Sequence, residues 1–267
     1  MIISILIIII VIFVIGYCIN IYSYKHNFIK NKINKVFLIN LKKRKDRLDF
    51  FKLNYNLDLP LTIIEAVDGK TLNLQQLLKD NIINDYTIEA ISKPRKHHYE
   101  LTHEGSIGCY LSHYYLWNSL NDNDNKNKTF LIFEDDSVVI SKITLHEINY
   151  RISLLPSNWD IYLLSDPKLC YLKTHYNNHL YKVQRFFLTN AYLINSKAIN
   201  KIFKTNTILP IIQQIDSYLS ELAIDFNLNI YIHDNNFNFY NQSTIFNSDI
   251  QDTKTTTELS YERYKYK

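Results

Sequence analysis

Glycine is scarce in this chain: 4 residues in 267, where average composition would give roughly 19. The chain is also rich in Asn, Ile, Tyr and Lys, the signature of an AT-rich coding sequence that drifts away from Gly, Ala, Arg and Pro wherever structure permits. That excludes glycine as filler. Gly69, Gly105 and Gly108 are three of the four, and all fall inside motifs described below. Cysteine is nearly as rare. Cys18, Cys109 and Cys170 make neither a disulfide framework nor a metal-binding spacing, which leaves buried or membrane-embedded thiols. A strong excess of one charge is missing too. The net charge is +4 and the lysines are scattered rather than gathered in a stripe, so no nucleic-acid partner is expected.

Charge is absent altogether from residues 2–19, IISILIIIIVIFVIGYCI. As a helix this run would be about 27 Å long, close to the hydrocarbon thickness of a bilayer. A cleaved signal peptide would carry positive charge before the run and small residues after it, and neither is present. The expectation is therefore a retained single-pass anchor over residues 1–24. Residues 25–34 would form a polar stem, 35–250 a catalytic domain and 251–267 a polar tail. Lys25, Lys30, Lys32 and Lys35 follow the apolar run and no Lys or Arg precedes it. The positive-inside rule then puts the body on the cytoplasmic side. The glycosylation triplets at Asn127-Lys128-Thr129 and Asn241-Gln242-Ser243 would need the opposite side, so the orientation stays open.

Within the body, apolar runs at 35–41, 61–66, 129–133, 160–164, 169–173, 180–184, 191–195 and 228–233 read as strands. Helical spacing is seen at 44–55, 104–121, 142–154, 196–204 and 211–226. Residues 73–100 read as a loop with one short helix. It carries the basic run Lys93-Pro94-Arg95-Lys96-His97-His98, either a solvated face or a contact for phosphates. Alternating strands and helices without an internal repeat define an α/β domain with a mainly parallel sheet.

Three constellations carry chemistry. A β run ends abruptly in Phe133-Glu134-Asp135-Asp136, placing carboxylates at the carboxyl end of a strand, where open α/β sheets bind ligands. Hard oxygen ligands suit Mn²⁺ or Mg²⁺, and strand alternation would turn Glu134 and Asp136 to one side with Asp135 opposite. The bland reading is an acidic turn. The second is Glu104-Gly-Ser-Ile-Gly-Cys-Tyr-Leu-Ser-His-Tyr-Tyr-Leu-Trp117. Its two glycines in the first turn cost about 1 kcal/mol each against alanine, so tight packing or a ligand must require them. The third is Asp216, set between Ile212 and Ala223 on the apolar side of the expected 211–226 helix, where a carboxylate is costly unless paired or functional.

In this order the segments resemble glycosyltransferase family 25, the lipopolysaccharide-biosynthesis and procollagen galactosyltransferase-like proteins. The matching residues are Phe37-Leu-Ile-Asn-Leu41 with Arg44 and Arg47, Glu65-Ala-Val-Asp-Gly69, and Gly105-Ser-Ile-Gly-Cys-Tyr-Leu-Ser-His113 with Trp117. Leu131-Ile-Phe-Glu-Asp-Asp136, Trp159-Asp-Ile-Tyr-Leu163, Thr189-Asn-Ala-Tyr-Leu-Ile194 and Asp216-Ser-Tyr-Leu219 follow, with a faint Ser248-Asp249-Ile250. The resemblance implies a GT-A fold and metal-dependent, inverting transfer of a hexose, galactose favoured. The donor would be a UDP-sugar and the acceptor a glycan or protein hydroxyl. It implies Mn²⁺ (or Mg²⁺) on Glu134 and Asp136. Asn40, Arg47, Asp68, Gly105, Ser112, His113 and Asp135 would lie at the donor, with Asp216 as general base. The chain departs from the family after the 160–164 strand, where Ser165-Asp166 brings no glycine, and at Ser196-Lys-Ala198, which lacks a Gly-Ala pair. The acceptor is therefore not carried over. The rival readings are a catalytically inactive protein that binds a glycan or nucleotide sugar, a structural surface protein, and a metal-dependent phosphoryl or nucleotidyl transferase.

Overall fold

In the computed structural model of the chain, residues 31–95, 97–139, 144–234 and 239–246 are described, together with Val14 and Gly16. Apart from Val14 and Gly16, the expected anchor lies outside the described residues, as do the first part of the stem and the tail. Among the described residues no helix is long and apolar enough to cross a membrane.

The strands β1 (Lys35–Asn40), β2 (Leu61–Glu65) and β3 (Thr129–Glu134) are joined side by side in parallel. Beyond β3 lie β8 (Ala191–Asn195), β5 (Ile161–Leu163), β9 (Ile230–His233), β7 (Leu180–Arg185) and β6 (Leu172–Asn177), giving the order β2-β1-β3-β8-β5-β9-β7-β6. Only β8 and β7 run against the others, so most strands share one direction. The pairs β3–β8, β5–β8, β7–β9 and β6–β7 are nonetheless antiparallel. A separate two-stranded ribbon pairs β4 (Ser137–Val139) with β10 (Tyr240–Gln242). Both strands are three residues long, too short to stand out as an apolar run.

Strand alternation sorts the core onto two faces. Phe37, Ile39, Phe130 and Ile132 pack on one face with helix α4 (Glu104–Leu120), α6 (Ser196–Lys204) and α7 (Ile215–Asp225). Val36, Leu38, Leu131 and Phe133 pack on the other with Phe51 of α1 (Lys45–Asn54) and Ile148 and Ile152 of α5 (Leu145–Leu154).

Two expectations are corrected. Residues 73–100 form two short helices, α2 (Leu74–Lys79) and α3 (Asp85–Ser92), instead of a loop with one. Asn73 and Asn84 open them by accepting from the N–H groups of Gln76 and Thr87, a normal cap role hard to see where asparagine is everywhere. The last long helix begins at Ile215, not at 211. The N–H of Ile211 is taken by the carbonyl of Ile82, and that of Gln214 by Tyr99, so the segment is tied sideways to α3's surroundings instead of winding. Asp216 therefore sits in the first turn of α7, where a helix dipole favours negative charge.

Candidate active site

Gly69 and Gly108 explain why glycine survives here. A Cβ on Gly69 would lie 2.2 Å from the carbonyl oxygen of Glu104, and one on Gly108 would lie 2.6 Å from that of Val67. The Val67-Asp68-Gly69 loop is thus pressed against the first turns of α4, backbone to backbone. Ser112 fastens it: its hydroxyl accepts from the N–H of Val67 at 2.9 Å and donates to the Gly108 carbonyl at 2.7 Å. At the start of α4, His103 Nδ1 accepts from the N–H of Gly105 at 2.8 Å.

This packing shapes a cleft of about 610 Å³, open mouth included, between the carboxyl ends of β1 and β3 and the small face of α4. Arg47, Asp68, Gly105, Ser112, His113, Glu134, Asp135 and Asp136 all line it. Asn40 is buried behind it and acts through Asp135. The expected alternation of the three carboxylates is corrected: β3 stops at Glu134 and the chain turns, so all three face the cleft.

Each carboxylate has its own partners. Asp135 receives Asn40 Nδ2 at 2.7 Å and Arg47 Nη1 at 2.9 Å. Burial still holds its pKa above the ordinary value, against the pull of Arg47 and Asn40. Glu134 Oε1 accepts from Thr189 Oγ1 at 2.6 Å and pairs with His113 Nε2 at 3.2 Å. Burial works to raise its pKa, but the His113 and Thr189 bonds and the charge of Arg47 outweigh it and leave it lowered. Behind them, Trp117 Nε1 donates to the Tyr192 hydroxyl at 3.0 Å, and that hydroxyl lies 2.8 Å from His113 Nδ1. With Trp117 only a donor, the Tyr192 hydroxyl donates to Nδ1, so Nε2–H points at Glu134.

Asp136 is the exception. Gln242 Nε2 donates to its Oδ2 at 2.8 Å, but Oδ1 is buried without a hydrogen-bond partner. Burial, then the charge of Glu134, pushes its pKa up to about 7. A buried carboxylate oxygen without a partner is costly. A hard divalent cation would satisfy it, so the residues present fit a metal, with Glu134, whose Oε2 takes no part in the bonds to Thr189 and His113, lining the same cleft. Cys109, His113 and Glu134 also bring ligand atoms within 4.8 Å of one another. That trio suits a cation poorly. Both nitrogens of His113 are engaged, and burial followed by the charges of Glu134, Asp216, Asp136 and Asp135 keeps the Cys109 thiol protonated.

Asp216 does not line the cleft. Leu188 donates its N–H to Oδ2 at 3.1 Å and Ser217 its N–H to Oδ1 at 2.7 Å. Burial raises its pKa against these bonds and the charge of Arg95. Of the basic run, Lys93 is exposed and paired with Glu89, as a solvated face would have it, but Arg95 is not. Arg95 is buried and donates to the carbonyls of His97 and His98, while Lys96 lies outside the described residues. Sequence reading missed Lys43 and Lys70 on the cleft and Gln242, and gave no role to Thr189 and Tyr192 of the quoted 189–194 segment. Lys43, paired to Asp68 at 2.5 Å, and Lys70 adjoin quoted motifs, which was the available signal. Motif membership was the signal for Thr189 and Tyr192, but their partners, like that of Gln242, lie on distant stretches of chain.

Fold and cleft together are those of an α/β enzyme with its carboxylates gathered at the carboxyl ends of parallel strands. Residues 33–226 match glycosyltransferase family 25 (LPS biosynthesis protein); the chain belongs to that family and is a glycosyltransferase. Human procollagen galactosyltransferase 2 is 42% identical to it over 110 residues, 40% of this chain and 16% of that protein. The procollagen lysyl hydroxylase and glycosyltransferase of Acanthamoeba polyphaga mimivirus is 29% identical over 192 residues, 65% of this chain and 20% of that protein. The chain thus spans about a fifth or less of the length of these relatives. A crystal structure of mouse xyloside xylosyltransferase 1 aligns over 74% of this chain and 71% of that one, at 8% identity and a TM-score of 0.38, too low to add to the assignment.

Proposed function

We propose that the chain transfers a hexose, galactose favoured, from a UDP-sugar to an acceptor hydroxyl on a glycan or protein, with inversion and with a divalent metal, Mn²⁺ or Mg²⁺. The observation that carries this is the buried, unpartnered Oδ1 of Asp136 beside Glu134 in a cleft walled by Arg47, Lys43 and Lys70. The galactosyl part rests on the names of the relatives. Asp136 and Glu134 would hold the metal, which when bound supplies a counter-charge for the departing diphosphate. Lys43 and Lys70 place further positive charge at the cleft for the phosphates. Arg47 and Asn40 fix Asp135, keeping that carboxylate from swinging across the donor.

Inversion requires the acceptor oxygen to attack the anomeric carbon opposite the leaving diphosphate. As the new C–O bond forms, the bond to the diphosphate breaks and the hydroxyl proton passes to Asp216. Burial suits Asp216 to that task, because a raised pKa makes a stronger base. The uncharged run 2–19 supports attachment to a membrane, which extraction with alkaline carbonate would test. For the reaction itself, nucleoside diphosphate release from a panel of nucleotide sugars should require Mn²⁺ or Mg²⁺ and be lost in Asp136→Ala. Undiminished, metal-dependent turnover in that variant would overturn the metal assignment.

A further inference from the structure

The side chains of Trp117, Tyr192, His113 and Thr189 form a linked set that ends on one oxygen of Glu134. All four residues are buried, the first three completely, so each polar atom must find its partner inside the protein. His113 and Trp117 stand four residues apart on α4 and therefore share a face, one turn above the other. Tyr192 enters from β8. The His113 ring lies 5.7 Å from the rings of both Trp117 and Tyr192, centroid to centroid.

Only one direction of donation satisfies the set. Trp117 Nε1 donates to the Tyr192 hydroxyl oxygen at 3.0 Å, and that hydroxyl donates to His113 Nδ1 at 2.8 Å. His113 Nε2–H then donates to Glu134 Oε1 at 3.2 Å. With the proton on Nδ1 instead, the hydroxyl would accept twice and find no acceptor for its own proton among the described residues. The bare Nε2 lone pair would meanwhile face the Glu134 carboxylate, two acceptors with no proton between them. Thr189 Oγ1 donates to the same Oε1 at 2.6 Å. Both bonds thus fall on Oε1 and neither uses Oε2, although Glu134 lines the cleft. His113 lines it too, yet both its nitrogens are committed inward.

We propose that His113 is a positioning residue, locked in its Nε2–H form by Tyr192 and Trp117. Together with Thr189 it pins Glu134 by Oε1, so that Oε2 is the oxygen presented to the metal. A carboxylate free to rotate about its last bond could turn either oxygen, or both, toward a cation, and two donors on one oxygen remove that choice. Hydrogen-bond partners of this kind set the orientation of a metal ligand and govern affinity by about 10–100-fold. This role differs from the donor contact that the resemblance to family 25 implies for His113. It rests on Glu134 and Asp136 holding the metal of the proposed transfer.

The test uses the full chain with ¹⁵N-labelled histidine, and manganese as the probe. In metal-free protein, long-range proton–nitrogen correlation NMR reads the His113 tautomer, assigned by the signals lost in His113→Gln. The wild type should show one neutral form with its proton on Nε2; a proton on Nδ1 overturns the proposal. In Tyr192→Phe, which removes only the hydroxyl, the Nδ1 resonance should move as its hydrogen bond is lost. Manganese affinity, read by electron paramagnetic resonance, should fall by about tenfold in the same variant. Thr189→Val should weaken affinity by a similar factor with the Nδ1 resonance unmoved. Unchanged affinity in either variant overturns the positioning role. So does weakened affinity in Tyr192→Phe with the Nδ1 resonance unmoved, which would assign the loss to packing. Asp136→Ala keeps the metal reading separate: manganese bound by the wild type and lost in this variant upholds the metal site whatever Tyr192→Phe does. If the wild type binds no manganese that depends on Asp136, the metal reading falls and the positioning role falls with it.

Discussion

The two halves of the large sheet are built by different rules. β2, β1 and β3 run parallel, and β1 and β3 are apolar on both faces. The half from β8 to β6 mixes directions, with only β5 and β9 parallel neighbours, and ends in β7 and β6, an antiparallel pair whose outer strand is largely exposed. The parallel half supplies the glycine-packed loop and the three carboxylates. The mixed half supplies the 186–190 segment and borders Asp216. Glu134 lies at the seam: it ends β3, and its N–H donates to the carbonyl of Asn190 at 2.8 Å, just before β8. Donor chemistry on one half and acceptor chemistry on the other is the division this architecture suggests, and it can be broken from either side.

After the loss of turnover expected of Asp136→Ala in the parallel half, the largest effect should come from the mixed half. Asp216→Asn is expected to leave donor binding intact and cut transfer by about 10²-fold or more, the range of a lost general base. Donor titration beside transfer kinetics will check this, and lost donor affinity would move Asp216 out of the base role. In the parallel half, Gly69→Ala forces a methyl group against the Glu104 carbonyl and should cost about 2 kcal/mol of stability, read from urea denaturation. Next, Gln242→Ala removes the donor to Asp136 Oδ2 and should weaken manganese affinity by about tenfold, measured by electron paramagnetic resonance. The smallest effect concerns His98. Its pKa is near 4 in the fold against an ordinary 6.5, so the unfolded chain takes the proton first as pH falls. Its contribution to stability is full above about 6.5 and is lost toward 4. His98→Gln should flatten that part of the pH–stability curve.

Legibility in the sequence follows the same division. Uniform apolar runs revealed β1, β3 and β8, and helical spacing plus retained glycines revealed α4. With α1 and the loop after β2, those elements place Arg47, Asp68, Gly105, Ser112, His113 and the three carboxylates on one cleft. Hidden from sequence was the pairing of each carboxylate. Thr189 reaches Glu134 across 55 residues, and Gln242 reaches Asp136 across 106, contacts no local pattern encodes. The start of α7 was misread for a related reason. Its apolar residues continue back to Ile211, and only backbone bonds to distant carbonyls stop the winding there.

The bonds from Leu188 to Asp216 and from Thr189 to Glu134 come from neighbouring residues. The chain itself therefore works as a gauge, tying Asp216 to the acidic cluster through a single peptide unit. Successive Cα atoms stand about 3.8 Å apart whatever else moves, so the gap has little tolerance. Inserting one residue between 188 and 189 is expected to detune that spacing without replacing Asp216, Glu134 or their partners.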